Sequence, residues 1–175
     1  MLIDRKTEFT GKIITVETAK AELPNGHILE MEAVRHPGGS AVVALNEQGQ
    51  VCLLKLYRCV FDEWLWELPA GKNDFEEPPI NTAQRELEEE AGVQASQWRE
   101  LGLMISSPGV FSEKVYLYLA QGLSATVQNN EDHEVFDIHW IDFEEALNWA
   151  RDGAISDAKS VIALYRTADI LGTKP

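Results

Sequence analysis

A chain of 175 residues is long enough to enclose one sizeable hydrophobic core, and its formal net charge of -14 at pH 7 is strongly acidic. We therefore expect no nucleic acid and no anionic membrane as partner, because such surfaces bind through clustered Lys and Arg. An anionic small molecule remains compatible with this charge if a metal ion supplies the missing positive charge.

Segments for export or membrane insertion are not expected. No stretch approaches about 18 uninterrupted apolar residues, and residues 1–8 lack the apolar centre of a signal peptide. The two cysteines, Cys52 and Cys59, lie in or near one apolar run without CxxC spacing, so we expect buried reduced thiols and no zinc site. These observations indicate a cytoplasmic protein.

The N-terminal part of the chain is predicted to form a small β unit. Residues 12–18 and 28–34 alternate or carry β-branched side chains, and Pro-Asn-Gly at 24–26 is a hairpin signal between them.

The remainder alternates strands and helices. A second hairpin is expected around the turn at 46–49, between strands at 40–45 and 51–57. Further strands are predicted at 98–105, 114–120 and 135–141, and helices at 79–91, 143–152 and 157–171. Asp142 with Glu145 resembles a capping box for the second helix. An α/β fold with an open mixed sheet and helices on both faces follows.

The helix at 79–91 has clear local signals. Ile80, Ala83, Leu87 and Ala91 form an apolar stripe, proline suits the first turn, and Gly92 suits the end.

Three carboxylates share one strip of this helix, beside its apolar stripe. Around the helix axis, Glu90 lies roughly 40° from Glu86 on one side, and Glu89 lies roughly 60° from Glu86 on the other side. Glu88 points away from these three. The helix dipole and their mutual repulsion disfavour anions here. A solvated acidic face would account for Glu88 but not for the other three. The cluster therefore predicts a magnesium site, since hard divalent cations take carboxylate oxygens.

Residues 71–93 resemble the complete signature of the Nudix hydrolases. The segment reads as Gly, five residues, Glu, seven residues, Arg-Glu, an aliphatic residue, any residue, Glu-Glu, any residue, Gly and an aliphatic residue. Every specified position matches. The resemblance implies a Nudix-type α/β/α sandwich with a mixed sheet, which cleaves a nucleoside diphosphate linked to another moiety.

The resemblance also implies roles for individual residues. Glu86, Glu89 and Glu90 match the metal ligands, and Ala70 matches the position whose backbone carbonyl often joins them. The expected cofactor is Mg²⁺, for which Mn²⁺ can substitute.

Four other positions of the motif are expected to be structural. Glu77 and Arg85 match an ion pair that braces the loop against the helix. Gly71 and Gly92 would serve backbone geometry, as a tight loop and a helix stop.

Segments beside the motif resemble the ADP-ribose pyrophosphatase branch of the family. They are Trp-Glu-Leu-Pro-Ala-Gly at 66–71 and Ser-Ser-Pro-Gly at 106–109. Arg58 matches a diphosphate-binding arginine, the alternative being a surface arginine at a strand end. Trp64 and Trp66 could stack on a purine or pack in a core or dimer contact, and we expect only one to touch a ligand. Glu113 matches an acidic position near the diphosphate.

We expect the general base to be a residue other than the metal ligands, because carboxylates bound to metal accept protons poorly. In the resembled branch a loop glutamate before a strand activates water, which points to Glu134, with Glu131 as the fallback. His133 is expected to be a bystander.

The function implied is magnesium-dependent hydrolysis of ADP-ribose, or a related nucleoside diphosphate sugar, to AMP and ribose 5-phosphate. The alternatives are a GDP-mannose or broad nucleotide-sugar hydrolase and a non-catalytic ADP-ribose-binding regulator. Domains are expected at 1–35 and 36–175. The first is too small for its own core, and in the resembled branch it is exchanged across a two-fold dimer, so a homodimer is predicted.

Overall fold

The computed structural model describes residues 2–74, 76–128 and 135–173. The chain divides into two compact units. The first contains Met1–Gly38 with Ile105–Lys114, and the second contains Gly39–Met104 with Val115–Pro175. The predicted division at 35/36 stays a prediction.

The first unit contains a three-stranded antiparallel sheet in the order β1-β2-β3. Its strands are β1 (Leu2–Thr10), β2 (Thr15–Glu22) and β3 (Ile28–Arg35). The hairpin between β2 and β3 is confirmed: Gly26 has a φ of 82°, and its N–H donates to the carbonyl of Leu23 at 2.9 Å. The predicted strand at 12–18 corresponds to β2, which begins three residues later.

Strand β1 was not predicted from the sequence. Most of its residues are exposed, and two irregularities interrupt its pairing with β2. Burial therefore imposes no alternation on its side chains, and the strand depends on backbone hydrogen bonds that leave no local signal.

The strands of the second unit form two sheets. One is antiparallel in the order β10-β5-β6, and the other is mixed in the order β7-β4-β9-β8, with β4 parallel to β9. The strands are β4 (Gly39–Ala44), β5 (Gln50–Arg58), β6 (Glu63–Glu67), β7 (Ala70–Lys72), β8 (Val93–Ile105), β9 (Lys114–Ala125) and β10 (Phe136–Asp142).

The expected hairpin of β4 with β5 is wrong. These strands share a single bridge, between Leu45 and Val51, and then enter different sheets. The reason is that β7 and β9 occupy both edges of β4, while β10 and β6 occupy both edges of β5. The single open sheet is therefore corrected to two sheets.

Within the described ranges the helices are α1 (Pro79–Ala91), α2 (Phe143–Asp152) and α3 (Ala158–Leu171), which agree with the predicted bounds to within one residue. Gly92 ends α1 in the left-handed conformation with a φ of 63° and donates its N–H to the carbonyl of Glu88. At the start of α2, the carboxylate of Asp142 accepts from the N–H of Glu144 at 3.0 Å. Local cap chemistry thus sets the helix bounds.

Two hydrophobic clusters confirm the α/β/α sandwich. Alternate residues of β5 point to opposite faces, so Leu53 joins Leu147 of α2 and Leu164 of α3, whereas Leu54 joins Leu87 of α1. All five side chains are almost completely buried. This packing presses α1 against the sheets and fixes the direction of its carboxylates.

The prediction of two buried thiols is correct for Cys52 and wrong for Cys59. Cys52 is fully buried within β5, and burial, with a smaller contribution from Glu90, raises the pKa of its thiol to about 12. Cys59 is exposed because it follows the last residue of β5, in the turn towards β6.

Across the described ranges of the chain, none of the helices has the length and apolar character needed to cross a bilayer.

Candidate active site

The carboxylates of α1 meet the backbone of β7. Strand β7 lies antiparallel to β4, with Ala70 opposite Ala41. The N–H of Ala70 donates to Oε2 of Glu90 at 2.8 Å. This bond stabilises a carboxylate that is only 4 % exposed, because charged groups out of water need hydrogen bonds.

Gly71 leaves the space that the carboxylate of Glu86 occupies. A Cβ atom at position 71 would lie 1.9 Å from Oε1 of Glu86, and no atoms tolerate that approach. Gly71 belongs to strand β7 rather than to a tight loop. The expected role in backbone geometry is therefore corrected to a steric one, whereas that of Gly92 as a helix stop is confirmed.

Arg85 binds two of the three clustered carboxylates. Its Nη1 lies 2.7 Å from Oε1 of Glu86 and donates to Oε2 of Glu89 at 2.9 Å. Its Nη2 lies 4.0 Å from the carboxylate of Asp74. The guanidinium thus neutralises part of the charge that the helix accumulates.

The ion pair implied between Glu77 and Arg85 is replaced by other contacts. The carboxylate of Glu77 accepts from the hydroxyl of Thr82 at 3.0 Å, and Arg85 uses Nη1 for Glu86 and Glu89. Nε of Arg85 is buried and has no hydrogen-bond partner within the described residues. The reason is that Glu86 and Glu89, which are closer to Arg85 along the helix than Glu77, already bind its guanidinium.

Glu88 takes no part in this group, as predicted. Its carboxylate accepts from Nε2 of Gln94 at 2.8 Å and from the hydroxyl of Thr126 at 3.0 Å.

The donor types of this group suit a divalent cation. Glu86 and Glu90 are 7 % and 4 % exposed, and the last turn of α1 contains no basic residue to offset them. Carboxylates and a neighbouring backbone carbonyl are the oxygen ligands that Mg²⁺ prefers. In the part of the chain that the structure describes, the carboxylates instead engage Arg85 and the N–H of Ala70, and no three His, Cys, Asp or Glu side chains converge in metal-binding geometry.

Arg58, the expected diphosphate ligand, is held along one edge of its guanidinium. Nε and Nη2 donate to the two carboxylate oxygens of Glu67 at 2.7 and 2.8 Å. The side chain of Arg58 is 45 % exposed, whereas that of Glu67 is 4 % exposed.

Glu67 contacts a second cation, Lys159 of α3. Burial opposes the charged form of Glu67, but the hydrogen bonds from Arg58 and the charge of Lys159 prevail and lower its pKa to about 2. Sequence reasoning missed both Glu67 and Lys159 as site residues. The motif at 66–71 contains Glu67, but nothing local connects it to a lysine 92 residues away.

The two tryptophans differ in environment. Trp66 packs against Trp149 and His139 with ring centroids 5.1 and 4.9 Å apart, and Lys55 lies over its ring. Trp64 is 45 % exposed and contacts Tyr57 edge-on.

Four further residues of the sequence analysis lie outside the described part of the second unit. Glu113 belongs to the first unit, where its carboxylate lies 3.6 Å from Nδ1 of His36. Glu131 and Glu134, the candidates for the base, and His133 lie outside the described residues.

A family model described as the NUDIX domain matches residues 34–165, which is more than half of the chain. The chain belongs to the Nudix family. Enzymes of this family are pyrophosphohydrolases that generally use divalent metal ions.

Two curated relatives match along most of their length. A methanol dehydrogenase activator from Bacillus methanolicus is 37% identical, over 91% of this chain and 88% of that protein. An ADP-ribose pyrophosphatase from Bacillus subtilis (strain 168) is 34% identical, over 93% of this chain and 89% of that protein.

A crystal structure of an ADP compounds hydrolase has the same fold. Its TM-score is 0.84 at 22% sequence identity, and the match covers 98% of this chain and 94% of that chain.

We predict that Gly71→Ala weakens divalent-cation binding while leaving the protein folded. The new Cβ displaces the flexible end of Glu86 rather than backbone, so affinity for Mn²⁺ should fall by about tenfold or more. Electron paramagnetic resonance of free Mn²⁺ measures this, with urea unfolding as the folding check. Gly109→Ala is the control, since no atom lies within 4 Å of its Cβ position. Unchanged Mn²⁺ affinity in Gly71→Ala would contradict the steric role.

We also predict that Glu67 makes the free energy of unfolding depend on acidity. Its pKa is lowered from an ordinary 4.5 to about 2 on folding, so the unfolded chain binds the proton more readily. The stabilisation is therefore complete above pH 4.5 and is lost as the pH falls towards 2, by about 3 kcal/mol at most. Urea unfolding from pH 7 to pH 3 should show a shallower loss in Glu67→Gln than in the wild type. If the free energies of unfolding of the wild type and of Glu67→Gln fall equally as the pH is lowered, the prediction is wrong.

Proposed function

We propose that this chain is a magnesium-dependent hydrolase that cleaves the diphosphate of ADP-ribose to AMP and ribose 5-phosphate. The observation that supports this most strongly is the complete carboxylate set of α1, with Glu86 and Glu90 seated against the backbone of Ala70 and Gly71. The name of the Bacillus subtilis relative supports ADP-ribose as the substrate.

The residues proposed to hold Mg²⁺ are Glu86, Glu89, Glu90 and the carbonyl of Ala70, and Mn²⁺ substitutes. When bound, the ion neutralises diphosphate charge and makes water a better nucleophile. Water adds across one P–O–P linkage, so that each product retains one phosphate.

Two side chains are proposed to bind the rest of the substrate. Arg58 offers Nη1 to the diphosphate, because Glu67 occupies only its other edge. Trp64 is the better candidate to stack on adenine, since its ring is 45 % exposed while Trp66 is packed among other aromatic rings. Glu113 is retained as a proposed contact near the diphosphate.

Glu134 is proposed as the general base, with Glu131 as the fallback. The proposal rests on the position of these residues before strand β10, together with the family resemblance. A carboxylate that is not a metal ligand suits proton abstraction from water.

A regulatory role is a second candidate, because the relative with 37% identity is named an activator of methanol dehydrogenase. The intact carboxylate set favours hydrolysis over ligand binding alone. A GDP-mannose or broad nucleotide-sugar hydrolase is the alternative enzyme.

The location proposed is the cytoplasm. The free thiols of Cys52 and Cys59 suit a reducing compartment.

The substrate is tested by product analysis over a panel of nucleotide sugars with Mg²⁺. ADP-ribose should give AMP and ribose 5-phosphate with the highest kcat/KM, and chelator should abolish turnover. Preference for GDP-mannose would establish the alternative enzyme. Saturable binding of ADP-ribose with no turnover in Mg²⁺ or Mn²⁺ would favour the regulator.

Kinetics of three variants should separate metal ligand from base. Glu90→Gln should lose activity by orders of magnitude and require more Mg²⁺, because it removes a ligand. Glu134→Gln should lower kcat by roughly 10² to 10⁴ with little change in KM or in the Mg²⁺ requirement.

If Glu131→Gln, rather than Glu134→Gln, lowers kcat with little change in KM or in the Mg²⁺ requirement, Glu131 is the base. Mild effects in both loop variants would refute a loop base, and near-normal turnover by Glu90→Gln would refute its role as a ligand.

We further predict a homodimer. The first unit is a three-stranded sheet with exposed apolar side chains, including Phe9, Ile13 and Ile28, at 56, 56 and 53 % exposure. Burying such an apolar surface in a dimer contact lowers the free energy of the protein. Light scattering should give twice the monomer mass of 19.6 kDa. A monomer mass in a concentrated sample would overturn this.

A further inference from the structure

Four charged side chains form a network beyond the Nudix motif, within the second unit. Arg58 donates two hydrogen bonds to Glu67, and Nζ of Lys159 contacts the same carboxylate. Nζ of Lys159 also lies 3.0 Å from Oδ1 of Asp157 at the start of α3. The network therefore connects the end of β5, the end of β6 and the first turn of α3.

The charges of this network balance. Two cations, Arg58 and Lys159, face two carboxylates, Glu67 and Asp157, and three of these side chains have little access to water. Exposed fractions are 4 % for Glu67, 15 % for Lys159 and 18 % for Asp157. Screening by solvent is weak at such depth, so removing one charge leaves an uncompensated one.

Lys159 stays charged in this setting. Burial opposes its charged form, but the carboxylates of Asp157 and Glu67 outweigh burial and raise its pKa.

Arg58 differs from the other three because it reaches the surface. Its side chain is 45 % exposed, and Nη1 has no hydrogen-bond partner within the described part of the chain. One edge of the guanidinium is thus fixed by Glu67, while the other edge can donate to an anion.

We propose that Lys159 is a positioning residue for the diphosphate: it neutralises Glu67 from the first turn of α3 and so leaves the charge of Arg58 available to the substrate. This inference rests on the proposed function for the identity of the anion. Glu67 fixes the position of the Arg58 guanidinium. Lys159 neutralises the carboxylate of Glu67, so that this carboxylate does not cancel the positive charge of Arg58.

The physical reason is the sum of nearby charges. With Lys159 present, an approaching diphosphate meets Arg58 within a network whose four charges cancel. The carboxylate of Glu90 also acts on Arg58, but it is unchanged in the variants of Lys159. Without it, Glu67 and Asp157 together outweigh Arg58, and the network repels the anion. The guanidinium would keep its position but lose much of its attraction.

The test is the kinetics of Lys159→Met with the full-length protein, Mg²⁺ and ADP-ribose. KM should rise by about tenfold, because affinity for the anion falls, while kcat stays within about twofold, because the reacting atoms keep their surroundings. Lys159→Arg should restore KM. Arg151→Met is the matched control, since it removes one positive charge from an exposed position on α2 and should change neither constant.

A double variant separates charge from packing. Glu67→Gln combined with Lys159→Met removes one anion and one cation, so the network is neutral again and KM should return to within about threefold of the wild-type value. A packing role for Lys159 predicts that the double variant is no better than Lys159→Met. That result, or an unchanged KM in Lys159→Met, would overturn the proposal.

Calorimetry provides a measurement without turnover. ADP in chelator should bind Lys159→Met about tenfold more weakly than the wild type. If the wild type binds ADP but hydrolyses no nucleotide sugar, the proposed function fails while this comparison still decides the role of Lys159. A wild type that does not bind ADP overturns the inference. Should Lys159→Met fail to fold in circular dichroism, Lys159→Gln replaces it.

Discussion

The seating of two buried carboxylates against the backbone of β7 is the constraint on which the site depends. Glu86 and Glu90 lie where the dipole of α1 disfavours anions, and little water reaches them. The N–H of Ala70 bonds one carboxylate, and the missing side chain of Gly71 makes room for the other. Packing of Leu87 between them keeps the helix in place. Apolar burial thus holds acidic groups together that would otherwise separate.

The backbone facing these carboxylates is secured from its other side by α3. The N–H of Leu68 donates to the hydroxyl of Ser160 at 2.9 Å, and that hydroxyl donates to Asp157 at 2.5 Å. Glu67, the preceding residue, contacts Lys159 of the same helix. One short segment is therefore bound by α1 at one end and by α3 at the other, so displacement of either helix would alter the site.

The features predicted correctly from the sequence are those with local causes. The bounds of α1 follow from proline, apolar spacing and Gly92, and the three motif carboxylates follow from their fixed separations along this helix. The features missed depend on residues that meet only in the folded chain. Neither the separation of β4 from β5 nor the contact of Glu67 with Lys159 has a signal within a few residues, because each is decided by neighbours distant in sequence.

The contrast between the two cysteines gives the protein a natural attachment point for a chemical probe. A thiol reacts as its thiolate, and Cys52 is buried with a pKa of about 12, so a maleimide reagent would leave it untouched under native conditions. Cys59 is exposed and directly follows Arg58. A fluorophore attached there, without any mutation, would sit one residue from the guanidinium and report on changes in its surroundings.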